Sequence, residues 1–324
     1  MKSLFYILAA LTFLFSTLNG QSFICVECEK KIETDYIIVE GNSYHHEHFK
    51  CAECKKPIEG EYTKSENKFF HQKCYFNEVL PKCDVCLKPL NGEFYQDIYE
   101  KKYHKYDLDE FQHCDNCNRL AAPKISNGGR QLDDDRYLCN ICNRNALRSE
   151  GQYQRLLTGV SNRLKNLGVN ISSIPISITP VNQKKLNTIS NRSGEDRIRG
   201  FCKITSEHFT SGGKTKVVKN YSIYVLDNLP SIYSESTIAH ELMHIWLHEN
   251  TNDNHEESLE EGSCHYISYL YLKTVRSKEA EWITKLMMND QNIIYGGGFR
   301  KVYSQFHEKP LTELLNFLKK EKQL

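Results

Sequence analysis

The sequence predicts an α+β chain in two halves, with two small metal-stapled modules first and a globular domain of strands and helices after them. Three observations predict it. Eleven of the thirteen cysteines lie between Cys25 and Cys142, mostly as C-x-x-C pairs with histidines interleaved, which is ligand spacing and not a disulfide framework. Past residue 148 helical periodicity takes over: Leu156, Leu157, Val160, Leu164 and Leu167 share one face of a helix over 153–167 that ends at Gly168. The runs 174–179 and 221–226 are β-branched and aromatic and read as strands between loops rich in Asn, Ser and Gly.

The boundaries that follow are a leader over 1–20, modules over 21–80 and 81–148, and the globular domain over 149–324. The leader rests on Lys2, an apolar run from Leu4 to about Leu18, and small and polar residues near Gly20. That run is shorter than the roughly 20 apolar residues of a spanning helix, and no later segment is apolar enough to be a second one. The mature chain is therefore expected to be secreted or periplasmic and free of the membrane. Lys and Arg total 42 against 41 Asp and Glu, so no excess positive field exists to hold a phosphate backbone, and nucleic acid is excluded as a partner.

In the first module Cys25, Cys28, His45 and His48 form one four-ligand set, and Cys51, Cys54, His71 and Cys74 form a second that begins directly after it. The spacing C-x2-C-x16-H-x2-H-x2-C-x2-C-x16-H-x2-C is the LIM arrangement, with His48 where cysteine is usual, an exchange zinc tolerates. The pattern then repeats less cleanly. Cys83 and Cys86 lead to His104 and Asp107, with His113 as the alternative fourth ligand and an empty site as the other alternative, and Cys114, Cys117, Cys139 and Cys142 make a cysteine-only set. Each module has little apolar content, so metal must supply much of the folding free energy, on the order of 10 kcal/mol per structural zinc. Closed four-ligand sites leave no position for a substrate, so these are expected to be binding surfaces for a protein partner.

In the second half, His240, Glu241 and His244 form H-E-x-x-H inside an apolar helical pattern. The i, i+4 spacing puts both imidazoles on one face, one turn apart, as a single zinc requires. Glu241 is turned aside from the metal and free to hold a water. A third ligand must follow, and Glu260 and Glu261 are adjacent carboxylates in a second helical stretch. The grouping of Glu261, Gly262 and Tyr266 resembles the glutamate helix of gluzincin peptidases, which implies that Glu261 is the ligand and Glu260 an outer carboxylate. A buried structural zinc would instead need a fourth protein ligand, for which His248, His255 and His265 are available.

Several blocks in order resemble the LIM-domain zinc peptidase family typified by the plant organ-size regulators: LDDDRYLCNIC (132–142), RGFC (199–202), YVLDNLPSIYSESTIAHELMHIWL (224–247), EEGSC (260–264) and YGGGFR (295–300). The resemblance implies a gluzincin-like metallopeptidase with His240, His244 and Glu261 holding one catalytic zinc, Glu241 as general base, and about four structural zinc ions elsewhere. Three protein ligands leave one position for a water whose pKa zinc lowers to about 7. The substrate is then a protein or peptide; Tyr295 and Tyr266 are candidates for the oxyanion donor, with ordinary packing an equal account of either among 19 tyrosines. Plant members are intracellular and can carry ubiquitin-interacting segments ahead of the LIM region, whereas an export leader directly precedes Cys25 here, which points to a bacterial-type relative. The competing readings are an interaction protein with an inactive peptidase fold and a secreted, disulfide-linked structural protein. Cys202 and Cys264 remain once the zinc ligands are assigned, and an exported chain could join them by a disulfide.

Overall fold

The computed structural model describes residues 7–9, 23–33, 35–171, 174–192, 198–211, 214–251 and 254–323. The leader expected over 1–20 lies outside them, apart from the strand Ile7–Ala9, which pairs antiparallel with Tyr62–Ser65. Among the described residues no helix is long and apolar enough to cross a membrane. The chain is mixed α+β and forms two compact units, Met1–Phe111 and Gln112–Leu324.

The N-terminal unit is built from short hairpins. Tyr36–Val39 pairs with Asn42–His45 and Tyr62–Ser65 with Lys68–His71. Their inward residues, including Ile37, Val39, Tyr62 and Phe70, pack with Phe49, Ile58 and Tyr75 into one small apolar cluster. That cluster is too small to hold a fold of this length unaided, which is where metal enters.

One local motif occurs four times along the chain. At four of the five C-x-x-C pairs the first cysteine's amide donates to the carbonyl five residues on, at 2.9 Å each, from Cys25, Cys51, Cys83 and Cys114. The residue just past the second cysteine is left-handed every time: Glu29, Lys55, Leu87 and Asn118 have φ of 58°, 63°, 66° and 58°. A β-bridge closes each knuckle, at Ile24–Lys31, Lys50–Pro57, Lys82–Pro89 and His113–Leu120. The turn aims both sulfurs and the amides behind them at one point, and three of its four left-handed residues bear the strain with no special side chain.

In the C-terminal unit α1 (Glu150–Leu167) is closed at its start by a Ser149/Gln152 capping box and at its end by Gly168 at φ 110°. The sheet contains β1 (Ile176–Val181), β2 (Gly200–Ser211) and β3 (Lys214–Leu226), with β3 central, parallel to β1 and antiparallel to β2. The first strand begins and ends two residues later than the sequence suggests. The last extends back to Lys214, because its register with β2 runs from Gly200↔Val225 out to Ser211↔Lys214, a long two-stranded arm. Helix α2 (Gln183–Ser190) connects β1 towards β2.

Helix α3 (Ser231–Asn250) buries Ile238, Leu242, Met243, Ile245, Trp246 and Leu247 on nearly every side, as a central core helix does. It packs on α1, on the sheet and on α4 (Glu257–Lys273), and α5 (Lys278–Asn289), a π-turn at Ile293–Gly297, α6 (Gly298–Phe306) and α7 (Leu311–Leu318) complete the unit. The expected module over 81–148 is divided by this architecture. Cys83, Cys86, His104 and Asp107 belong to the N-terminal unit, whereas Cys114, Cys117, Cys139 and Cys142 share an apolar cluster with Val181, Leu186, Leu226, Tyr233 and Leu272 of the C-terminal unit.

Candidate metal centres and active site

Zinc bonds of about 2.3 Å to sulfur and 2.0–2.1 Å to nitrogen, at tetrahedral angles, put sulfur and nitrogen about 3.6 Å apart and two nitrogens about 3.3 Å apart. Cys25, Cys28, His45 and His48 converge with Cys25 Sγ 3.4 Å from His48 Nδ1 and Cys28 Sγ 3.5 Å from His45 Nδ1. Cys51, Cys54, His71 and Cys74 form the next group, with Cys54 Sγ 3.3 Å from His71 Nδ1. His71 Nε2 donates to the Pro57 carbonyl at 2.9 Å, which leaves Nδ1 unprotonated and aimed at the group. The cysteine-only group is buried throughout, with Cys117 and Cys139 sulfurs 3.8 Å apart.

The Cys83 group brings three ligands together, Cys83, Cys86 and His104. Cys86 Sγ lies 3.6 Å from His104 Nδ1, and Asp107 Oδ2 lies 3.2 Å from Cys83 Sγ and 3.5 Å from His104 Nδ1. His104 Nε2 donates to the Pro89 carbonyl, repeating the His71 arrangement. Asp107 stands beside this group, its Oδ2 also accepting from the His104 N–H at 2.9 Å, while the alternative, His113, has its Nδ1 3.1 Å from the Asn118 carbonyl.

In the C-terminal unit His240 and His244 project one turn apart from α3, and α4 crosses them antiparallel. A seam of small residues fixes that crossing: Ser236 and Ser268 hydroxyls are 2.8 Å apart, and Ser268 Oγ also donates to the Ser236 carbonyl at 2.8 Å. One turn past Ser236 stands His240, and two turns before Ser268 stands Glu261. His240 and His244 Nε2 atoms are 3.2 Å apart, and Glu261 Oε2 lies 3.1 Å and 3.6 Å from them. Three donor atoms at these separations fit the spacing of one tetrahedral zinc. Glu260 is not part of this set; its Oε1 accepts from His244 Nδ1 at 3.0 Å, which fixes the tautomer that leaves Nε2 free.

Burial opposes the Glu261 charge, but the two imidazoles outweigh it and hold its pKa far below the carboxylate range. Glu241 is buried and its pKa is raised by that burial, against the pull of His240 and His244. The Cys202 N–H also works to lower it, and the first residues of β2, Gly200, Phe201 and Cys202, wall the site. Gly200 is required there, because a Cβ would lie 2.6 Å from Glu241 Oε1 and 2.4 Å from Thr237 Cγ2. A cleft of about 1050 Å³ opens over these residues, lined on its far side by Ile283, Leu286, Met287 and Tyr295.

The remaining expectations divide. Tyr295 lines the cleft and its hydroxyl accepts from Arg192 at 2.6 Å. Tyr266 does not reach it; its hydroxyl donates to the Phe306 carbonyl at 3.2 Å in the core. His265 stacks edge-on to His240 at 4.7 Å and bonds the Glu261 carbonyl, His248 bonds Tyr221, and His255 bonds the Leu318 carbonyl. Burial beside His240 pushes the His265 pKa down to about 3. All thirteen cysteines are free thiols, so the Cys202–Cys264 disulfide is absent. Burial pushes both thiols up to about 12. Cys264, three residues past Glu261, instead faces the ring nitrogens of His240 and His244, within 4.8 Å, a placement the sequence does not announce.

Residues 176–284 match the family model described as DA1-like, Protein DA1, and residues 25–79 match the LIM domain. The chain thus carries a LIM domain and a DA1-like segment. It is similar to the plant DA1 proteins. It is 24% identical over 321 residues to LIM domain-containing protein HDR3 of Oryza sativa subsp. japonica, covering 77% of this chain and 63% of that protein. To Protein DA1-related 2 of Arabidopsis thaliana it is 25% identical, over 71% of this chain and 56% of the relative. To Protein DA1 of Arabidopsis thaliana it is 25% identical, over 76% and 57%. The chain therefore spans between 56% and 63% of the length of these relatives. The DA1-like segment contains His240, Glu241, His244 and Glu261.

Proposed function

We propose that the C-terminal unit is a zinc-dependent peptidase and that the LIM-type modules recognise its substrate or a protein partner. The observation that carries this reading is the donor triangle of His240, His244 and Glu261, with sides of 3.1–3.6 Å, beside a buried Glu241 at the floor of an open cleft. When bound there, zinc supplies a polarising centre for a carbonyl and an activated water. Glu241, its pKa raised by burial, accepts the water's proton and returns it to the leaving amine. The close wall at Gly200 holds the carboxyl in one orientation for both transfers. Glu260 keeps His244 in its metal-binding tautomer, and Tyr295, held by Arg192, is the hydroxyl donor for the oxyanion.

Four structural zinc ions, one per knuckle, and one catalytic zinc are proposed for the whole chain. Export rests on the leader pattern of residues 1–20 alone, and so does a bacterial-type origin; N-terminal sequencing of the mature protein, expected to start near residue 21, tests export. The peptidase reading is tested by digesting an unbiased peptide library with the purified chain and with Glu241→Gln. Cleavage by the wild type and none by the variant supports it. Equal cleavage by both shows the activity to be a contaminant, and none by either leaves the interaction protein with an inactive fold.

A further inference from the structure

Arg199 stands where the four-cysteine knuckle meets the strand that walls the cleft. Its Nη2 donates to the Asn116 carbonyl at 3.4 Å, and Asn116 lies between Cys114 and Cys117. Its guanidinium lies over the Tyr233 ring, 5.1 Å from the centroid. Its own carbonyl accepts from the Leu226 amide at 2.8 Å, so side chain and main chain are pinned to different elements. The next residue is Gly200, packed on Glu241, and Cys202 two residues on lines the cleft beside it.

The charges run the same way. A zinc ion with four thiolates carries a net charge of about −2. Arg199 is drawn to the Cys114 and Cys142 sulfurs, and Arg119 Nη1 approaches Cys117 Sγ at 3.6 Å. The knuckle is further bolted to the end of β3, where Arg136 donates to the Asp227 carbonyl at 2.9 Å and to its carboxylate at 2.7 Å, and Asn116 Nδ2 donates to the Asn228 carbonyl at 3.1 Å.

We propose that Arg199 is a positioning residue that clamps the first residues of β2 to the four-cysteine knuckle, so that the metal of that knuckle sets the orientation of Glu241. The catalytic half of the proposal rests on the peptidase reading; the clamp does not. A lysine keeps the charge at 199 but has neither the fork for Asn116 nor the flat face for Tyr233.

Hydrogen exchange followed by mass spectrometry on the full chain tests the clamp. In the wild type, amides over 199–203 and 114–117 are expected to be protected to within about tenfold of each other, because one opening exposes both. Arg199→Lys, with its zinc content unchanged, is expected to speed exchange over 199–203 at least ~10-fold and to lower kcat about 10-fold or more with KM within about twofold, the signature of a displaced base. Cys139→Ser, which loses one zinc, is expected to speed the same exchange. Unchanged exchange over 199–203 in Arg199→Lys would overturn the clamp, as would a wild-type strand exchanging more than about 100-fold faster than the knuckle. The wild-type comparison decides alone if neither variant folds. A wild type that hydrolyses nothing overturns the peptidase reading while the exchange data still judge the clamp.

Discussion

A Cβ at residue 200 has two atoms to displace, Thr237 Cγ2 at 2.4 Å and Glu241 Oε1 at 2.6 Å; the first belongs to a short β-branched side chain, and the second ends the buried Glu241 side chain. Gly200→Ala is therefore expected to fold with its full zinc content, at a cost of about 1–3 kcal/mol for the overpacking, and to lose at least about tenfold in kcat because the displaced atom belongs to the base. Kinetics together with a denaturant titration separate the two effects. Glu241→Gln removes the proton acceptor and nothing else, so peptide hydrolysis is expected to vanish with metal content and melting temperature retained. Glu260 acts through His244, to which its Oε1 is bonded at 3.0 Å. Glu260→Gln is expected to weaken the catalytic metal about 10–100-fold, read by competition with a chelator of known affinity, with the four knuckle sites unaffected.

The seam between α4 and α6 is set by backbone contacts. A Cβ on Gly298 would fall 2.0 Å from the Ser258 carbonyl oxygen, and one on Gly262 would fall 2.3 Å from the Gly298 carbonyl carbon. Gly298→Ala must therefore push apart the two helices, one of which carries Glu261; a fall in melting temperature and weaker catalytic metal binding, measured together, are the expected outcome. These contacts also mark what the sequence could and could not reveal. The ligands were legible because metal chemistry imposes local spacing: H-E-x-x-H on one helix and C-x-x-C on each knuckle. The amphipathic α1 and the cores of β1 and β3 were legible from their periodicity. Glycines that meet 36 positions apart carry no local signature, so EEGSC and YGGGFR were visible as blocks without their reason. Tyr266 illustrates the same limit: its spacing from Glu261 fits the glutamate-helix pattern, yet its hydroxyl turns to the Phe306 carbonyl. Spacing likewise identified the four cysteines at 114–142 as a ligand set but not the unit whose core they join.

At the scale of the whole molecule, the mature chain is expected to carry about five zinc ions by elemental analysis, or four if the Cys83 site is empty, and one or none would refute the LIM-type zinc sites. The C-terminal unit also depends on a buried ion network in which Arg136 Nη2 lies 2.8 Å from Asp134 and 2.7 Å from Asp227. Burial opposes the Asp134 charge, but Arg136 and the Gln183 amide more than offset it, so its folded pKa lies below the ordinary value. A depressed carboxylate stabilises the fold fully above its unfolded pKa of about 3.9 and loses that contribution as pH falls through the folded value. Asp134→Asn is expected to cost about 3–5 kcal/mol at neutral pH by leaving Arg136 short of a partner, and to flatten the acid limb of the stability curve below about pH 4. The unequal burial of the knuckles has one more consequence. Cys54 is exposed and Cys28, Cys74 and Cys86 are half-buried, while Cys114, Cys117, Cys139 and Cys142 are all buried. Under zinc starvation the ions are therefore expected to leave in a fixed order, the N-terminal knuckles emptying first, so that a molecule short of zinc would lose the modules proposed to bind partners before the unit proposed to hydrolyse peptides comes apart.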